Sequence, residues 1–227
     1  MSRAAATRIV ALTVATCLLG AAASPGAASR AKAPVPAVLT ETESSAEDLI
    51  DDALAGDRGS VISGAASLAA AASGPAATTL TKAGVPAATI IELEQRASRV
   101  ARLSRKGPLV EVLLAANAVS QLMPALYGHF EASVPTAILT LDYLDREAQF
   151  RSLAGQPQLV ATAVADLGRT WASVRPKVIT AGGKPEAAAY DRHVAAMERL
   201  ARGAGKQLQA EAVRGLELVD RLEGVFG

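Results

Sequence analysis

The chain has one cysteine, Cys17, and none after it. A body without a pair of thiols forms no internal disulfide, and cysteine-ligated zinc or iron–sulfur centres are excluded with it. Aromatic residues are scarce, at 3%. The core is therefore expected to rest on small aliphatic side chains, which let helices approach closely. His129 and His193 are the two histidines. No Ser-His-Asp order, HExxH, phosphate loop or dinucleotide fingerprint is present, so hydrolytic and redox catalysis lack their usual reagents. The expectation is a protein that is not an enzyme and carries no cofactor. Strand signals are missing too, since no alternation of β-branched and polar residues extends beyond a few positions.

What is present begins with the first 28 residues. Arg3 and Arg8 precede the apolar run Ile9 to Gly20, and small residues follow at 21–23 and 26–28. Charge, apolar core and small-residue site in that order form a secretory signal peptide. The run is shorter than the roughly 20 residues that span a bilayer. Residues 1–28 are thus expected to be removed, leaving a periplasmic or secreted protein. Lipidation of Cys17 is the alternative; Thr16 before it and the short core of 9–16 oppose it. Without Arg3 and Arg8 the 23 basic residues become 21 against 22 acidic ones. A balance near −1 leaves no nucleic-acid footprint.

Residues 29–44, with Pro34 and Pro36 among small and polar residues, read as a disordered tether. The single folded domain is expected over 45–227. Alanine and leucine dominate it, apolar residues recur at helical spacing, and Gly-Pro pairs punctuate the pattern. Ser44 and Ser45 ahead of Glu47 and Asp48 read as a capping-box start. Gly74-Pro75 should kink a helix, and Gly84-Val85-Pro86 should end it. Pro86, Pro108, Pro157 and Pro185 should open helices, and Ser133 should cap another. The most apolar helix, from Leu109, is interrupted by Glu111, Asn117, Ser120 and Gln121, which argues against a membrane span in the mature chain. The class is all-α, an antiparallel bundle of about six to eight helices.

At an offset of 99 residues, Leu54-Ala55-Gly56 aligns with Leu153-Ala154-Gly155, Val61 with Val160, Leu68 with Leu167, and Gly84 and Pro86 with Gly183 and Pro185. Two related units, about 46–106 and 145–205, are expected in pseudo-twofold arrangement, with the helices of 108–153 as a connecting hairpin.

Four residue groups carry the candidate chemistry. His193 and Met197 share a helix face, and Met123 and His129 form a second pair; these are heme or copper ligand types, which helical bundles hold between facing helices. There is no Cys-x-x-Cys-His for covalent heme, and no Met near the mature N-terminus to pair with a late histidine. Asn117, Asp142 and Arg146 could line a polar ligand pocket or fix helix register. Arg96, Arg99, Arg102 and Arg105 crowd the end of one helix, where they suit its dipole or touch an anionic surface. An exported binding or adaptor protein is the expected function, with an envelope or extracellular protein or a small ligand as partner. A heme- or metal-binding bundle is the alternative.

Overall fold

The computed structural model describes residues 32–203 and 205–227, and structural statements refer to these. The expected signal peptide, Cys17 included, lies outside them. The protein is an all-α helical bundle, and no strand is formed among the described residues. One isolated bridge joins Pro34 to Glu131.

Helix α1 spans Ala37–Ala55. The expected tether is therefore helical from Ala37 onward, and the start expected at Ser44-Ser45 lies inside the helix. Pro36 ends the extended lead-in, and Leu39, Thr42, Ala46, Leu49, Ile50 and Ala53 are the buried stripe. Each large aliphatic side chain so buried contributes about 2 kcal/mol, enough to order the acidic and hydroxyl-rich face that reads as polar leader. Gly56, at φ 78°, closes α1. Asp57 caps α2 (Arg58–Ala71) by accepting from the Gly59 and Ser60 amides.

At Gly74-Pro75 the helix does not break. A π turn, Ala72–Ala76, takes in Pro75, and α3 (Ala77–Lys82) continues beyond it. Proline has no N–H to offer and its ring crowds the carbonyl four residues back; the wider turn relieves both. Next come α4 (Ala87–Lys106) and α5 (Leu109–Ser120), opened by Pro86 and Pro108. The stretch Leu109–Tyr127 is long and apolar enough to cross a membrane by composition. It is broken at Gln121-Leu122, where α5 gives way to α6 (Met123–Tyr127). Seven of the twelve residues of α5 are buried, Asn117 and Ser120 among them.

The second half holds α7 (Thr136–Leu153), α8 (Pro157–Thr180), α9 (Lys184–Leu200) and α10 (Gly205–Glu223). Pro135, not Ser133, precedes α7. The packing closes into two four-helix rings. In the first, α1 touches α2 and α5, and α4 touches α2 and α5; in the second, α7 touches α8 and α10, and α9 touches α8 and α10. Short turns between successive helices make such neighbours antiparallel. The core divides accordingly, one apolar cluster running from Leu39 to Phe130 with Phe150 added, the other from Ile138 to Leu222. Contacts of α7 with α5 and α6 join the rings. The helices of 108–153 are thus not a free-standing connecting hairpin, because α5 belongs to the first ring and α7 to the second.

Candidate functional site

Helix α7 is the hub of the polar structure. At about 100° per residue, Tyr143, Glu147 and Arg151 share one face, Asp142 and Arg146 a second, and Asp145 points from a third. Each face meets a different neighbour.

The first meets α5. Asn117, fully buried, donates from Nδ2 to the Tyr143 carbonyl at 3.3 Å and to Glu147 Oε2 at 2.9 Å. Glu147 Oε1 accepts from Arg151 Nε at 2.7 Å, and Arg151 donates again to Gln156 Oε1 at 2.7 Å. Burial pushes the Tyr143 hydroxyl up to about 12. Asn117 Oδ1 and the Ser120 hydroxyl are buried without a hydrogen-bond partner. Outward of this network lies a groove of about 560 Å³ between α4, α5 and the end of α7. Its floor is Ala115 and Ala118, and its walls carry Arg96, Arg99 and Arg151. Arg96 is fixed by the Ala118 carbonyl, Gln121 and Glu92.

The second face meets α1. Arg146 pairs with Asp142 at 2.7 Å and with Glu47 at 2.9 Å. Nearby, Glu43 accepts from the Tyr127 hydroxyl. Burial raises Glu43 and Asp142 each to about 7, and raises Glu223 as well; neighbouring carboxylates add to it, and Arg146 pulls against it. Glu43, Tyr127, Glu131 and Glu223 line a cleft of about 360 Å³.

The third face is a closed strut. Asp145 and His193 are fully buried. His193 Nε2 faces Asp145 Oδ1 at 2.9 Å and Nδ1 faces Glu211 Oε1 at 3.0 Å. Tyr190 donates to Asp145 Oδ2 at 2.9 Å. Two ring nitrogens against two carboxylates call for two donors, which is the imidazolium. Burial works against that charge, but the bonds to Asp145 and Glu211 outweigh it and hold the His193 pKa above its ordinary value. Burial raises Asp145, and its bonds to His193 and Tyr190 oppose the rise. Gly215 of α10 lies so close that a Cβ there would sit 2.4 Å from Asp145 Oδ2 and 2.6 Å from His193 Nε2.

The residues expected to act together are therefore dispersed. Asn117 joins Glu147, whereas Asp142 and Arg146 turn toward α1, so the three do not line one pocket. Of the four expected metal ligands, Met123 lies in the first core cluster and Met197 in the second, His129 is exposed, and His193 has both nitrogens occupied. They converge on no common point, and no group of three or more histidine, aspartate or glutamate side chains suited to a metal occurs among the described residues. The aromatic residues near the turn between α6 and α7 divide between the two cores. Tyr127, Phe130 and Phe150 are in the first core, while Tyr143 packs against the second. Sequence reasoning missed Arg151 as a groove residue, though its spacing of four from Glu147 was visible, and missed Glu211 as a partner of His193. Comparison with known proteins gives no match to any family model, curated protein or solved structure.

Proposed function

We propose that the protein is an exported bacterial helical bundle that acts by binding rather than by catalysis, and that the groove between α4, α5 and α7 is where it binds. The observation that carries this is the groove itself. Rigid helices wall it, and Arg96 and Arg151 stand at fixed positions through bonds to Gln121, Gln156, Glu92 and Glu147. Ligand sites favour such concave junctions with a few convergent polar groups. The polar side chains deeper in the body, His193 and Asn117, are engaged between helices. The apolar leader read from the sequence supports export, and the sequence matches at an offset of 99 residues support the reading of a duplicated scaffold with its site beside the junction.

Two measurements test it. Intact-mass analysis of the exported full-length chain is expected to give a new N-terminus between Ser24 and Ala31 without added lipid; retention of residues 1–20 would refute export. A thermal-shift panel of anionic, neutral and cationic small molecules should contain at least one stabilising member whose effect disappears in Ala118→Trp, which fills the groove floor. An inert panel, or stabilisation that survives the tryptophan, removes the groove from the proposal.

A further inference from the structure

Three guanidinium groups and one carboxylate, Glu111, face the groove between α4, α5 and α7. Their hydrogen bonding is incomplete in a specific way. Arg96 uses Nη1 on the Ala118 carbonyl and Gln121, and Nη2 on Glu92. Arg151 uses Nε and Nη1 on Glu147 and Gln156. Both are thereby immobilised with N–H groups to spare, since a guanidinium carries five. Arg99 has no hydrogen-bond or ion-pair partner among the described residues. Arg96 and Arg151 are each paired with one carboxylate, Glu92 and Glu147, and Arg99 with none, so the set keeps N–H donors that a negative, oxygen-rich group would take up.

The row along α4 points the same way. Arg96, Arg99, Arg102 and Arg105 follow at steps of three, and each step turns about 60° around the helix axis. The row therefore winds off the groove. Arg96 and Arg99 line it, while Arg102 and Arg105 are exposed and are not among its lining residues. On the opposite wall Arg151 is held through Glu147 to the buried Asn117.

We infer that the groove binds a small soluble multivalent oxyanion, a phosphate ester or a compact polycarboxylate, between Arg96 and Arg99 on one side and Arg151 on the other. The guanidinium fork matches such groups with paired, charge-assisted hydrogen bonds. Fixed arginines lower the ordering cost of binding. This rests on the reading of the groove as the binding site.

The test is isothermal titration of the full chain with pyrophosphate and with citrate, beside betaine and glucose as cationic-group and neutral probes. Pyrophosphate or citrate should bind, and the affinity should fall as salt rises. Arg99→Ala, at an exposed position with no partner to lose, should weaken binding roughly tenfold, the usual worth of one charge-assisted contact. Arg102→Ala and Arg105→Ala should leave it within about twofold. Vesicles of phosphatidylglycerol against phosphatidylcholine form the last arm. Binding to anionic vesicles without binding of pyrophosphate or citrate overturns the inference in favour of a headgroup surface. Equal losses at Arg99, Arg102 and Arg105 overturn it as well, since they mark a diffuse patch. If betaine or glucose binds in an Ala118→Trp-sensitive way and the anions do not, the groove remains a site and only its ligand class is wrong.

Discussion

Gly215→Ala adds a single methyl group, and the structure says where it goes. The new Cβ would meet Asp145 Oδ2 at 2.4 Å, Asp145 Cγ at 2.6 Å and His193 Nε2 at 2.6 Å. Real carbon contacts do not persist at such distances, so either α10 moves off α7 and α9 or the Asp145–His193 pair opens. Alanine would favour the helix itself by up to about 1 kcal/mol. Against that stand about 1–3 kcal/mol for overpacking a filled site and part of the roughly 3–5 kcal/mol lost when a buried ion pair is parted. The net is a destabilisation of about 3 kcal/mol, which in a domain of this size lowers the melting temperature by roughly 10 °C. Urea unfolding followed by far-UV circular dichroism, with calorimetry alongside, measures both quantities. A Gly215→Ala protein as stable as its parent would refute the close approach, and with it the account of His193 as a strut clamped by α10.

His193→Ala should cost about 3–5 kcal/mol by leaving Asp145 buried without its cation, with Asp145→Asn in the same background restoring part of the loss in urea midpoint. Stability should also fall as pH rises from about 5 to 8. Glu43 and Asp142 keep their protons to about 7 in the folded state but release them near 4.5 and 3.8 when unfolded. The raised His193 pKa adds a contribution present below 6.5 and lost as pH climbs through the folded value. Asp57 and Asp191 sit below 3.8, held there by Ser60 and by Arg175, and work oppositely at the acid end; a urea midpoint that rises from pH 5 to pH 8 contradicts the assignment. Arg146→Leu should cost about 2 kcal/mol at pH 8, and clearly less at pH 5, where Asp142 and Glu43 hold their protons. Equal losses at both pH values would show that Arg146 acts through packing alone.

Helix-opening prolines and the Gly-marked ends were legible because each acts within one turn of chain. Pro86, Pro108 and Pro157 stand at or just before the first residue of α4, α5 and α8. The start of α1 was not legible, because the residues of 37–44 are poor local helix signals and are ordered by burial of Leu39 and Thr42 against distant helices. Ser133 was misread for a related reason: Pro135 sets the geometry and leaves the hydroxyl no role at the cap. The polar residues of α7 could be found by composition but not assigned, since Asp142, Asp145 and Glu147 differ only in the direction they leave the helix. Which direction meets which neighbour depends on the two-ring packing. Glu211 carries no local mark of its pairing with His193.

The π turn has a consequence for chain length. Val61, Ala65, Leu68, Ala72, Ala76 and Leu80 are all fully buried, yet a plain α-helix would carry Leu80 about 100° away from Val61 over those 19 steps. The wide turn, where the Ala77 N–H reaches the Ala72 carbonyl five residues back, absorbs that angle by holding one residue more than an α turn would. That segment is in effect an ordinary helix with a one-residue insertion. Loss of the Pro75 codon would remove the surplus residue and the missing N–H together, and bring Leu80 onto the same stripe in regular α geometry. Gain of a codon at the same place would turn Leu80 out toward water. Length variation in this helix is therefore expected to run toward shortening.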